Sequence, residues 1–146
     1  AESLVLQLHQ RGWVVRMLIE QKAVKRLGTA RFEMPGLCPD LRVDLLFSAS
    51  GIEVEVVAAA TPAETPAGGT MPTAIVGHLI AMKCLSESPR RLQDRIDLQN
   101  LVRVATAKQL RVARNALGAI SARGLGRGKD LERVLKRYLS ASRRLG

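Results

Sequence analysis

Residues 42 to 60 read RVDLLFSASGIEVEVVAAA, and the change of period inside this stretch decides the fold class. RVDLLFS (42–48) is a nearly continuous apolar run of strand length, whereas GIEVEVVAAA (51–60) reads as a short helix. Upstream, WVVRMLIE (13–20) is rich in β-branched and large apolar residues and TARFEMP (29–35) alternates weakly, so both predict strands. The connections QKAVKRLG and GLCPD are short enough for neighbouring, mostly antiparallel strands, with a single helix over 14–26 as the alternative. Residues 2–11 predict a helix with Leu4, Val5 and Leu8 on one side, stopped by Gly12.

Downstream of residue 60, the Pro and Gly density of TPAETPAGG marks a surface loop suited to a flap. TMPTAIV (70–76) predicts a short edge strand, because Pro72 forbids a central ladder position. Helices are predicted over about 77–86, 90–105, 106–123 and 129–143, with Thr106 as an N-cap and GLGRG (124–128) as the joint before the last. In that last helix Leu131, Val134, Leu135 and Tyr138 fall at i, i+3, i+4 and i+7 and form one apolar stripe. The expectation is an α/β fold: a mixed sheet followed by a helical carboxyl-terminal half.

The chain has 146 residues, enough for one ordinary core, and 47 % hydrophobic with 25 % charged residues excludes disordered and collagen-like classes. Aromatics are 3 %, which argues against binding by rows of stacked rings. The net charge of +10 is carried entirely by residues 90–146, where fifteen Lys/Arg face four Asp/Glu; residues 1–89 hold eight against nine. That asymmetry suits phosphate-bearing partners, with solubility as the plainer reading. Cys38 and Cys84 form no CxxC or Cys/His cluster, so reduced thiols in the cytoplasm are expected. No apolar run reaches the roughly 18 residues of a membrane span, and the first residues lack the basic region of a signal peptide. Leu4, Val5 and Leu8 already form a helix face in the first turns, an abrupt start that suggests a missing upstream segment.

Ionisable residues set into apolar patterns are the most informative, because an unpaired buried charge costs several kcal/mol. Asp44 interrupts Val43-Asp44-Leu45-Leu46-Phe47, Lys83 lies on the stripe of Val76, Leu79 and Ile80, and Asp94 and Asp97 fall on the stripe of Leu98, Leu101 and Ala105. Two readings fit. One is a structural ion-pair network in which Lys83 meets Asp94 or Asp97 and ties two helices together. The other is a polar cleft in which carboxylates hold a divalent metal and the lysine meets phosphate.

The ordered string RVDLLFSASGIEVEVVAAA, a Pro/Gly loop, TMPTAIVGHLIAMKCL and RRLQDRIDLQNLV resembles the nucleotidyltransferase family of the AbiEii/AbiGii-type toxins, a branch of the polymerase-β-like superfamily. The most specific part of the likeness is Leu-x-x-x-Lys followed by Arg-Asp-x-x-Asp-x-x-x-Leu, here Leu79, Lys83, Gln93, Asp94, Asp97 and Leu101, with Gln93 departing from the arginine. The resemblance implies a partial nucleotidyltransferase-like core over 1–105, with basic helices of 106–146 packed on it. It implies Mg²⁺-dependent transfer of a nucleotidyl group from an NTP to an acceptor hydroxyl, tRNA among the candidates, in a toxin or defence setting with an antitoxin-type partner. Asp44 would then serve as the third catalytic acid and a metal ligand, Lys83 would bind nucleotide phosphates, and Asp94 and Asp97 would orient Lys83 or the acceptor.

One departure bears on activity. The superfamily's two-metal clamp needs Asp-x-Asp after a Gly-Ser or Gly-Gly turn, and no Asp-x-Asp or Glu-x-Asp occurs in these 146 residues. A lone Asp44 cannot hold two ions, so the chain by itself is expected to be inactive. The alternative is a non-catalytic module whose basic helical end, with Lys108 and Arg111 opposite Leu110, Ala113 and Leu117, binds RNA or an acidic protein. His9 and His78 have no spaced partners and read as surface or satisfied histidines, Ser48 and Ser50 make no GxSxG, Cys84 reads as core, and Trp13 as an anchor for the first helix.

Overall fold

The computed structural model describes residues 2–21, 26–36, 42–47, 50–65 and 68–142. Cys38 and Ser48 lie outside them. The chain divides into two compact units, 1–49 and 50–146. One apolar cluster runs from Ile52 through Ile80 and Leu98 to Leu117 and Leu135, so the helices after residue 105 share their core with those before it.

The amino-terminal unit contains α1 (Glu2–Gln10) and three strands, β1 (Val14–Gln21), β2 (Arg26–Glu33) and β3 (Arg42–Leu46), in the order β1-β2-β3. Both pairings are antiparallel. The first strand is therefore a strand and not the alternative helix over 14–26. Helix α1 ends at Gly12, whose φ of +87° is the left-handed conformation that glycine adopts without strain. There the Gly12 N–H donates to His9 O and the Trp13 N–H to Leu8 O, so Trp13 closes the helix end as well as following it.

Register decides which side of this sheet is polar. Phe32 pairs with Val43 and Ala30 with Leu45, and Phe32 and Ala30 are fully buried. The alternate residues Arg31, Glu33, Arg42 and Asp44 occupy the other face. Asp44 is thus not set into an apolar face, as the run of Leu and Phe around it suggested. Leu46, on its side of β3, is 72 % exposed.

The carboxyl-terminal unit holds α2 (Glu53–Ala58), the ribbon β4 (Thr61–Thr65) and β5 (Gly69–Thr73), and four helices: α3 (Val76–Ser86), α4 (Leu92–Val104), α5 (Ala107–Ala122) and α6 (Leu131–Ser142). The segment expected as a loop and flap is half of this ribbon. Its prolines fit because Pro62 stands opposite Pro72. Two residues without N–H groups can face each other only at a position of the ladder that makes no hydrogen bonds, so their nitrogens lie along the ribbon's outer edges. The same prolines leave those edges poor templates for a further strand.

Helix α5 starts where the sequence placed it. Thr106 accepts from the Gln109 N–H, and Gln109 Oε1 accepts from the Thr106 N–H, a reciprocal cap of the kind whose loss costs about 1 kcal/mol. It ends at Gly124, with the Leu125 N–H donating to Ile120 O, and the GLGRG joint continues through Arg127 and Gly128 at φ of 55° and 70°. Ala113, Ala116, Leu117 and Ile120 of α5 are buried together with Leu131 and Leu135 of α6, which puts the predicted stripes of both helices into the core. No helix of the described residues is long and apolar enough to cross a membrane.

Candidate functional site

Helices α3 and α4 run past each other so that Lys83 meets both acids of α4. Its Nζ donates to Asp94 Oδ1 at 2.7 Å and to Asp97 Oδ2 at 2.6 Å. The spacing of the acids explains this, because residues three apart on a helix share a face. Gln93 holds the far oxygen of the pair: its Nε2 donates to Asp97 Oδ1 at 2.7 Å. Asp94 is the deepest member, its side chain 10 % exposed against 28 % for Lys83 and 32 % for Asp97. Arg91 Nε stands 2.8 Å from Asp94 Oδ2, but that buried oxygen receives no aligned hydrogen bond.

The charges of this cluster reinforce one another. Burial works against the Lys83 ammonium, yet the hydrogen bonds it donates to both carboxylates, with their charge, outweigh it and hold the lysine above its ordinary pKa. Asp94 is pushed up by burial and pulled down further by Lys83 and Arg91, ending below the usual carboxylate range. Lys83 and then Gln93 lower Asp97. At neutral pH the lysine is a cation and both acids are anions. An ammonium has three N–H donors, two of which are used here; among the described residues the third has no partner. The cluster can therefore present one cationic donor to an incoming anion without losing the contacts that hold it.

A pH dependence follows. The depressed acids contribute stability that is complete above their unfolded pKa of about 3.9 and is lost as pH falls through their lower folded values. Lys83 acts at the other end: its contribution is complete below about 10.4 and lost as pH rises through the elevated folded value. Thermal unfolding followed from about pH 2.5 to 7 is expected to show a shallower acid limb for Asp97→Asn than for the parent chain. Identical limbs would show that the cluster is not linked to folding.

Asp44 has a different setting, in the amino-terminal unit. Arg31, its cross-strand partner, donates Nε to Oδ1 at 2.7 Å and Nη2 to Oδ2 at 2.8 Å, a two-toothed pair that lowers the carboxylate's pKa through those bonds. The same sheet face carries Arg16 and Arg42 on either side of Glu33. Both oxygens of Asp44 are committed to arginine, and among the described residues no three His, Cys, Asp or Glu side chains gather where a metal could sit. The described residues do not fit a Mg²⁺ site at Asp44. Nothing local in the sequence marks Arg31; its signal is the register, which is set by the Phe32–Val43 pair and becomes visible only once both strands are aligned.

Other single residues are structural. Cys84 is fully buried and its thiol is pushed up to about 12 by burial, which leaves no thiolate for chemistry. His78 is buried with Nδ1 unpartnered, a correction to its reading as a surface or satisfied histidine, while His9 is exposed and sits 3.3 Å from Trp13 O. Arg123, after α5, donates to Gly51 O and to Glu55, and Lys129, just after the joint, donates to Leu85 O and Glu87 O at the end of α3. Neither was legible, because each ties loop to helix across more than forty residues. No protein-family model matches the chain, and no curated protein matches it.

Proposed function

We propose that this chain is nucleotidyltransferase-like and that Lys83, braced by Asp94 and Asp97, contacts the phosphates of a nucleoside triphosphate. The single observation that carries the reading is the ammonium bound by two carboxylates, its third donor without a partner among the described residues and its side chain 28 % exposed. The string from Arg42 to Val102 that resembles the AbiEii/AbiGii-type family supplies the substrate class, with an acceptor hydroxyl such as one on tRNA and a toxin or defence setting as its further implications. In this reading Asp94 and Asp97 fix the direction of the lysine, and Gln93 fixes Asp97 in place of the family's arginine.

The test is titration of the chain with a fluorescent ATP or CTP analogue in Mg²⁺ buffer. Saturable binding is expected, weakened about tenfold or more by Lys83→Met, since a hydrogen bond to a charged group contributes about 1.5–3 kcal/mol. Absence of saturable binding, or binding indifferent to Lys83→Met, refutes the proposal.

A second reading, a non-catalytic binding module, is favoured by a separate observation: Asp44 is spent on Arg31 instead of standing free for a metal. Under it, labelled NTP and total tRNA yield no incorporation even where the nucleotide binds.

A further inference from the structure

The surface of α6 opposite its apolar stripe carries Arg133, Lys136, Arg137 and Ser140, at i, i+3, i+4 and i+7. These four side chains share one face over about 10 Å of helix. They form one wall of an open hollow of about 770 Å³ whose other wall is the turn between α3 and α4, including Ser88 and Pro89, with Lys129 and Asp130 at its end. Four cations line this hollow against two acids, Glu87 and Asp130, leaving a net charge of about +2 there.

The partners of these cations separate structural from available charge. Lys129 is drawn inward by the carbonyls of Leu85 and Glu87, and burial lowers its pKa. Arg137 is held by Glu87 Oε1 at 3.1 Å and lies over the Tyr138 ring, 5.3 Å from its centre. Arg133 and Lys136 have no ion-pair partner among the described residues, and both are exposed. Two unpaired cations one turn apart, beside the Ser88 and Ser140 hydroxyls, suit successive phosphates of one strand. The carboxylates and hydroxyls of the lining also offer acceptors for ribose hydroxyls, which deoxyribose cannot use. With aromatics at 3 % of the chain, stacking platforms are scarce and contact falls to the backbone.

We infer that this hollow is a docking site for the backbone of single-stranded RNA, held by Arg133 and Lys136 and read without regard to base sequence. It is separate from the Lys83 cluster, and neither outcome of the nucleotide titration bears on it.

Fluorescence anisotropy of the chain with a labelled uridine 12-mer at a series of salt concentrations tests it. Each phosphate contact adds about 0.7 to the slope of log affinity against log salt for a single strand, so Arg133→Ala/Lys136→Ala should reduce the slope by about 1.4. The pair Arg11→Ala/Arg103→Ala, both exposed and outside the lining of the hollow, removes the same charge and should leave most of that slope intact. The thymidine 12-mer should bind more weakly than the uridine one, and polyglutamate should not compete. No binding at low salt, or equal loss in the two double variants, overturns the hollow as the site. Equal affinity for the thymidine 12-mer overturns the choice of RNA, and competition by polyglutamate points to an acidic protein instead. Unchanged circular dichroism in both variants shows that the comparison is between folded proteins.

Discussion

Gly77→Ala is expected to destabilise the protein by about 2 kcal/mol, although alanine is the better helix former. A β-carbon at this position of α3 would lie 2.7 Å from Gln109 O and 2.7 Å from Val112 Cβ, both on α5. One contact is a backbone oxygen and the other is fixed to its own backbone, so neither moves by rotating a side chain. Overpacking of this kind costs about 1–3 kcal/mol and occasionally more, whereas the gain in helix propensity and unfolded-state entropy is about 1 kcal/mol. The clash wins. Gly118 of α5 provides the contrast, since it is exposed and its added β-carbon would meet nothing within 4 Å. Gly118→Ala is expected to stabilise by up to about 1 kcal/mol. Urea unfolding of both variants reads the two signs, and stabilisation by both substitutions would mean that α3 and α5 do not approach each other at Gly77.

This close approach shows where the sequence stopped being informative. Helix ends were legible because their chemistry is local: Thr106 caps its own helix through Gln109, and Gly12 and Gly124 stop theirs. The stripes of α5 and α6 were legible because period alone selects Ala113, Leu117, Leu131 and Leu135. The Lys83 cluster was legible for the same reason, with one refinement: both acids engage the lysine, where the sequence allowed either. Gly77 carried no such mark, because its role depends on which helix arrives against it. Strand β4, over 61–65, was missed for a different reason, whereas its partner β5 falls on the edge strand predicted over 70–76. Strand β4 lacks apolar alternation and is mostly exposed, so its Pro and Gly content outweighed the strand signal. Asp44 was misjudged because a five-residue strand with Leu at two successive positions does not reveal which face is covered. The half-buried residues are Val43 and Leu45, not the Asp44 side.

The second large effect concerns Lys83 and separates holding a fold from holding a ligand. Lys83→Met keeps the length of the side chain and removes its charge, which leaves Asp94 10 % exposed with the mostly solvated Arg91 as its remaining cation among the described residues. Removing one partner of a fully buried pair costs about 3–5 kcal/mol; the solvent that reaches Lys83 reduces the expected loss to about 2 kcal/mol. Adding Asp94→Asn and Asp97→Asn should return most of that stability, because deleting both sides of an ion pair strands no charge. Urea midpoints of the single and triple variants measure this directly. If the triple variant is no more stable than the single one, the destabilisation does not come from stranded acids and the cluster is not the tie between α3 and α4. Nucleotide binding makes the complementary measurement on the same proteins. A purely structural lysine predicts that the restored triple variant binds as the parent does. A phosphate-contacting lysine predicts a protein as stable as the parent that still binds about tenfold or more weakly, since no repair of the helix pair replaces the missing third N–H.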